Sequence, residues 1–332
     1  MRAQLNPHVR ISGTGAALPS RVVDNDELEG LVSGYDTQHS GPFGQWVDQV
    51  THIHERRYCE PGERTSQYAL LAAQQALDTA GIEAADLGLI IYASFTPSQT
   101  LPGDHCRFAQ ALGATRTATF NLMAACAGSI YGMSLAYGMI ASGVHDHVMV
   151  VGSETISRVL NFHDPLTSIL FGDGAGVVIL SRSDGSNGQG MLPPDMGFQW
   201  SPRNIHQANS NVPVDVGLFP DRLQQPGVPL VEQAMVEMEG GPNVLRKAVI
   251  EMAGCTARCL GYEPRELKRG MPDDLRASLD RAWVVPHQAN GRILDGLGDR
   301  LKIPKDKLIR TIYRYGNMSA ASNLVALDHA VR

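Results

Sequence analysis

The sequence predicts an α/β protein in which one supersecondary unit is used twice. Three observations carry this reading. Strand-like apolar runs alternate with helix-like amphipathic runs through the first 183 residues. The same order of runs returns after residue 240. Glycine is frequent, at 34 of 332 residues, which suits a chain with many tight strand-to-helix turns.

In the first half the strand candidates are VRISGTGAAL, LGLIIYASF, TATFNLM, HVMVVGS and GAGVVILSRS. The helices between them include SQYALLAAQQALDTAG, GDHCRFAQALG and AGSIYGMSLAYGMIASG. Strands separated by helices imply a largely parallel sheet covered on both faces. The segment from Ser183 to about Leu230 is rich in Gly, Pro, Asn and Gln. It predicts one strand near MLPPDMGFQW and then a long surface loop.

After that segment, GPNVLRKAVIEMAGCTARCLG takes the place of the first helix and RAWVVPHQ that of LGLIIYASF. GRILDGLGDRL, IRTIYRY and SAASNLVALDHAV complete the correspondence. Residues 1–185 and 186–332 are therefore read as two related halves. The second stops at Arg332, after its third helix, where the first half has two more strands. A second sheet built like the first would lack them and expose an edge.

Composition narrows the function. Apolar residues make up 43% and charged residues 19%, ordinary values for a globular protein. No run approaches the roughly 18 apolar residues of a membrane span. The opening MRAQLNPHVRISG has no signal-like apolar stretch. A cytoplasmic protein is expected. The five cysteines are odd in number and scattered, which argues against a disulfide framework. Cys255 and Cys259 lie four apart and share a helix face, with no accompanying zinc-ligand spacing. The net charge of −6 is uneven: residues 1–239 carry 12 basic and 24 acidic side chains, residues 240–332 carry 16 and 10. A basic half on an acidic protein could steer an anionic partner. There is no basic run interleaved with aromatics, so nucleic acid is not expected.

Three positions draw attention. Cys126 lies in NLMAACAGSIYG at a strand-to-helix junction among small residues. A thiol there meets the positive end of a helix dipole and unpaired N–H groups, which favour thiolate. His287, in VVPHQAN, ends a predicted strand, and Asn317, in YGNMSAAS, lies at another strand-to-helix turn. In the duplication Asn317 falls near the position Cys126 holds in the first half. A pseudo-two-fold would bring all three together.

The segments ACAGSIYG, FGDGAG with VVIL at 171–180, VVPHQAN at 284–290 and GNMSAAS at 316–322 resemble ketoacyl synthase III of the thiolase superfamily. The similarity runs from about Arg10 to Arg332. It implies a duplicated, five-layer α-β-α-β-α thiolase-like fold, a homodimer, and no metal or bound organic cofactor. Acyl-carrier-protein or coenzyme A thioesters are the implied substrates, with no membrane or nucleic-acid partner. The implied chemistry is acyl transfer to Cys126, then decarboxylative Claisen condensation with a malonyl thioester. His287, as a neutral donor, and Asn317 would bond the enolate oxygen. The choice of Asn317, with no cysteine after Cys259, separates this pattern from Cys-His-His synthases and from thiolases.

By the same resemblance Trp46 and Arg158 would meet coenzyme A. Arg292 would meet carrier phosphates at the tunnel mouth. Leu101, in PSQTLPGD, would face the partner subunit's acyl pocket. Arg246, Lys247, Lys302, Lys305 and Lys307 join Arg292 as a candidate basic landing area. Departures are His54, where the family has arginine, and Asp164-Pro165-Leu166, where it has an Asp-Arg-Gly turn. They point toward a specialised-metabolite relative. The family's C-terminal Gly-rich turn, which supplies a backbone donor, has no match within residues 1–332. An acyltransferase acting on a hydroxyl or amine, and a silent dimer or carrier-docking partner, are the rival readings.

Overall fold

Five apolar runs of the first half pair into one sheet. The computed structural model describes residues 6–99, 101–186, 190–197 and 241–332. The strands are β1 (Val9–Ala17), β2 (Arg21–Asp24), β3 (Glu55–Tyr58), β4 (Leu89–Ala93), β5 (Ala118–Leu122), β6 (His147–Glu154) and β7 (Gly174–Arg182). The large sheet has the order β1-β7-β6-β4-β5. Strands β6, β4 and β5 are parallel, and β7 runs against both its neighbours. The sheet is thus mixed, with one reversed strand. Strand β4 and nearly all of β6 and β7 are buried, as their continuous apolar runs require in a sheet covered on both faces. Strand β5 is the outer edge and is only partly covered.

Helix Thr65–Ala80 lies over one face. Ala69, Ala72, Ala73 and Ala76 are fully buried on its sheet-facing side. Small side chains let it approach β1 so closely that a Cβ on Gly15 would stand 2.0 Å from the Ala72 carbonyl oxygen.

Helices Gly128–Ala141 and Ala320–Val331 cover the other face, where Ala136, Ile140 and Leu324 pack with Val148, Val150 and Val178. Every residue from Ala320 to Ala326 is buried, so this helix is covered almost all round and forms an interior layer. Strand glycines receive it. A Cβ on Gly152 would lie 2.4 Å from the Ala320 carbonyl oxygen, and one on Gly176 would lie 2.7 Å from Leu324 Cβ.

The second half builds its own core. Helices Gly241–Cys259, Asp273–Arg281 and Gly291–Leu301 enclose Ala253, Ala257, Leu275, Leu279, Leu294 and Leu297. Of the two segments expected as strands, RAWVVPHQ makes one parallel bridge, from Val284 to Leu308, the residue just before IRTIYRY. Ile312–Tyr315 is a helical turn instead. A lone parallel pair gains little without a third strand beside it, and none lies there among the described residues.

The antiparallel pair β2–β3 and the helices Asn25–Leu31 and Phe43–Thr51 between its strands were not expected. Their strands, RVVD and ERRY, are too short and too polar to show a period. The predicted strand near Met191 is reduced to a single bridge with Asn6. Most of the predicted 183–230 loop lies outside the described residues. Among the described residues no helix is long and apolar enough to cross a membrane.

Gly152→Ala should push the Ala320–Val331 helix off β6, because a backbone oxygen cannot give way as a flexible side chain can. Overpacking of this kind typically costs about 1–3 kcal/mol. A lower urea midpoint at unchanged m-value is the expected result.

Candidate active site

Cys126 sits in the turn that joins β5 to helix Gly128–Ala141. Ala125 before it has φ of 46°, in the left-handed region, which sharpens the turn and costs on the order of 1 kcal/mol. Cys126 itself is half-buried. A matching turn precedes helix Ala320–Val331, where Ser319 has φ of 48°. The two helix starts touch: a Cβ on Gly128 would lie 3.4 Å from Ala320 Cβ and 3.1 Å from Ala93 Cβ. Two positive helix ends therefore converge beside the thiol.

His287 is held by its neighbour. Gln288, fully buried, donates from Nε2 to Pro286 O (2.8 Å) and Ile309 O (3.2 Å). Its Oε1 accepts from the N–H groups of Thr311 (2.8 Å) and Ile312 (3.1 Å). Asn290 closes the turn. Its Oδ1 accepts from the Arg292 N–H (2.8 Å) and its Nδ2 donates to Val50 O (3.1 Å). The VPHQAN motif is thus a self-braced turn around one imidazole. His287 Nδ1 lies 3.1 Å from Asn323 Oδ1, and its Nε2 is buried without a hydrogen bond of ordinary geometry.

Asn317 is buried and bonded through its backbone: its N–H donates to Leu170 O (2.8 Å) and its carbonyl accepts from Gly172 N–H (3.1 Å). This joins GNMSAAS to FGDGAG. The side-chain Oδ1 accepts from Ser319 N–H at 2.8 Å, so Nδ2 is the end left to donate. Asp173 of the same Gly-rich segment accepts from the Cys59 N–H (2.8 Å), Ser157 N–H (2.8 Å) and Ser157 Oγ (2.6 Å).

Charge is distributed accordingly. Burial acts to raise the Cys126 pKa, but His287, Ser319 and a backbone N–H outweigh it and hold the thiol below its ordinary value. Burial pulls His287 down, yet Cys126 and Asn323 together bring it above its ordinary value. Each shift favours the charged form of its group, and each has the other group as its main compensating cause, in a site of restricted water. With an amide donor on the neighbouring turn, such a pair suits covalent acyl chemistry.

The expected binding residues are spread over separate elements. Trp46 stacks in an aromatic group with Tyr35 (4.8 Å) and Phe43 (5.8 Å). Arg158 is exposed in the short turn Ile156–Val159, whose Ser157 is fixed by Asp173. Arg292 is exposed in the first turn of Gly291–Leu301, and Leu101 is 90% exposed. Both departures from the family pattern have local partners. His54 Nε2 lies 2.9 Å from Asp48 Oδ1 and its ring stacks on Tyr313, while Asp164 caps helix Pro165–Ser168. Cys255 and Cys259 do share a face and interact, with Cys255 pushed up and Cys259 drawn down. Among the described residues no three His, Cys, Asp or Glu side chains are grouped to hold a metal ion.

Sequence reasoning missed Gln288, Ser319 and Asn323. The signal for Asn323 was available: an amide inside an otherwise apolar helix must find a partner.

Comparison with known proteins agrees with this geometry. The family described as 3-Oxoacyl-[acyl-carrier-protein (ACP)] synthase III matches residues 120–198, and its C-terminal part matches residues 277–332. A beta-ketoacyl-[acyl-carrier-protein] synthase III of Sphingopyxis alaskensis is 37% identical over 324 residues, 97% of this chain and 89% of that protein. This chain belongs to the 3-oxoacyl-[acyl-carrier-protein] synthase III family of condensing enzymes. The synthase III structure from Aquifex aeolicus VF5 superposes with a TM-score of 0.72 at 30% identity, covering 97% of this chain and 90% of that one. The priming beta-ketosynthase of the R1128 polyketide biosynthetic pathway gives 0.75 at 28% identity, covering 100% and 90%. The fold is accordingly the thiolase-like α/β fold of the family.

Alkylation by iodoacetamide, read at the Cys126 peptide by mass spectrometry, tests the ion pair. His287→Ala removes the positive partner, so the Cys126 pKa should rise and the acid limb of its rate profile should move to higher pH. An unmoved limb would show that the imidazole does not act on the thiol.

Proposed function

We propose that the chain is a β-ketoacyl synthase III-type enzyme that loads an acyl group onto Cys126 and condenses it with a malonyl thioester. The observation that carries this reading is the Cys126–His287 pair beside an Asn317 amide whose Oδ1 is already taken. In the first step the Cys126 thiolate attacks a thioester carbonyl. The carbon–sulfur bond to the carrier breaks, and the carrier leaves as a thiolate that takes a proton from water. In the second, the carbon–carboxylate bond of the malonyl group breaks, carbon dioxide departs, and the electron pair passes to an enolate whose oxygen meets His287 and Asn317. The carbanion attacks the acyl carbon and Cys126 leaves as thiolate. Aimed donors of this kind act where negative charge develops.

The substrates are acyl-carrier-protein or coenzyme A thioesters, in fatty-acid or polyketide biosynthesis. Trp46, Arg158 and Arg292 serve as carrier contacts. The reading uses no resident metal or organic cofactor. It places the enzyme in the cytoplasm, where the five free cysteines would stay reduced. A homodimer joined along β5 is supported by that strand's unpaired edge and by exposed Phe120, Met123 and Leu101 near it. Leu101 would then be available to a partner's acyl pocket.

A second reading has one observation in its favour. With Nδ1 facing an acceptor, a neutral His287 presents a lone pair at Nε2, which suits removing a proton from a hydroxyl or amine acceptor.

Intact-mass analysis with an acyl thioester, with and without malonyl thioester, separates the two. Asn317→Ala should still form acyl-Cys126 but lose malonyl decarboxylation by about 10²–10³-fold. Acyl loading without any decarboxylation by the wild type would replace condensation with transfer to a hydroxyl or amine.

Carrier docking is tested separately. Arg292→Glu should slow reaction with a carrier-bound acyl group more than with an N-acetylcysteamine ester, and should flatten the salt dependence of the former. Equal slowing on both would assign Arg292 to the fold.

A further inference from the structure

The proton of His287 is placed by a residue outside the Cys-His-Asn set. His287 Nδ1 lies 3.1 Å from Asn323 Oδ1, and an amide oxygen can only accept. Nδ1 therefore carries a hydrogen. Asn323 is 6% exposed and sits one turn into helix Ala320–Val331, every neighbour of which from Ala320 to Ala326 is buried. Its side chain has little room to turn away. On the opposite side, Gln288 and Asn290 brace the turn that carries the ring. The imidazole is thus held from both sides, with Nε2 buried and free of any ordinary hydrogen bond.

We infer that Asn323 is a positioning residue that keeps a proton on His287 Nδ1, so that Nε2 gains a proton only when the ring becomes imidazolium. The inference deepens the condensing reading and, for its consequence in the malonyl step, rests on it. In the resting enzyme the Cys126 S–H bond breaks, its proton goes to Nε2, and sulfur keeps the electron pair. Asn323 favours this because its oxygen bonds the imidazolium N–H more strongly than a neutral one. Of the groups acting on the ring, Cys126 is titratable and Asn323 is neutral.

A neutral ring with its hydrogen on Nδ1 has only a lone pair at Nε2, so it cannot bond an enolate oxygen. The donor in the malonyl step is then the imidazolium, not the neutral imidazole that the family resemblance suggests. Malonyl decarboxylation should fall as pH rises through the His287 pKa.

The test uses the full chain labelled with ¹⁵N-histidine. Long-range ¹H–¹⁵N spectra across a pH series report which ring nitrogen holds the proton, and His287→Ala supplies the assignment. Nδ1 should stay protonated throughout, with only Nε2 titrating. Asn323→Leu should move the His287 midpoint to lower pH and let Nδ1 lose its proton. Asn323→Asp, also an acceptor but charged, should move the midpoint to higher pH. The alkaline limb of malonyl decarboxylation should follow, down for Leu and up for Asp. Deprotonation at Nδ1 in the wild type would overturn the inference, as would one midpoint common to wild type and Asp variant. None of the spectra needs turnover. A protein that shows the expected titration but releases no carbon dioxide would keep the inference and lose the condensing reading.

Discussion

The site depends on how closely two helices can approach one sheet face. Helices Gly128–Ala141 and Ala320–Val331 come from opposite halves of the chain and lie over the same strands. They start side by side because nothing larger than hydrogen stands at Gly128, Gly152 and Gly176 where they press. Each start is a turn with a residue forced to positive φ, Ala125 in one and Ser319 in the other. That strain, of order 1–3 kcal/mol per residue, is stored where the reacting atoms are, and the buried helix packing offsets it. Moving either helix would separate the thiol from Ser319, and moving the second would also take Asn323 from the His287 ring.

Burial alone would ruin this site. Removing water disfavours both a thiolate and an imidazolium, and for each group it is the largest single influence. The charged forms are nonetheless favoured, because each group compensates the other and because Ser319 and Asn323 add hydrogen bonds. The same logic recurs nearby with the opposite outcome. Glu154, fully buried at the end of β6, accepts from Ser94, Phe95 and Thr96, yet burial pushes it up to about 8, with no cation acting on it among the described residues. Four donors do not replace one counter-charge.

What could be read from sequence follows from where the folding information is local. The central strands β4, β6 and β7 hold long apolar runs bounded by turns, and the helices between the first-half strands carry a helical period, so the order was legible. Cys126, His287 and Asn317 drew attention in the sequence because each falls at a turn, at matching points of a repeated order of runs. RAWVVPHQ and IRTIYRY were read as strands on their apolar content, but a strand is defined by its neighbours, and the backbones here pair in a single bridge, Val284 with Leu308, the rest of the contact coming from the Gln288 side chain. Arg56 shows the limit from the other side. Nothing in ERRY marks it as fully buried. It is so because its guanidinium reaches Val23 O and Asn25 Oδ1 in one distant segment and Ile169 O in another.

Asn317 and Asn323 lie on consecutive turns and do opposite work with the same amide. In each the oxygen is occupied, by a backbone N–H at Asn317 and by the ring at Asn323. At Asn317 this turns the NH₂ group outward and makes a neutral donor whose strength does not change with pH. At Asn323 it makes the neighbouring ring's donor capacity depend on protonation. A condensing site needs a strong base before acylation and a donor after it. A pH-independent amide cannot do the first, and an imidazole pinned at Nδ1 can do both only by gaining a proton. The proton that leaves Cys126 supplies that need, provided it stays on the ring when the carrier thiolate departs and takes its own proton from water. In the proposed reaction the two asparagines divide the work: Asn317 fixes a donor permanently, and Asn323 lets His287 become one as Cys126 becomes a nucleophile.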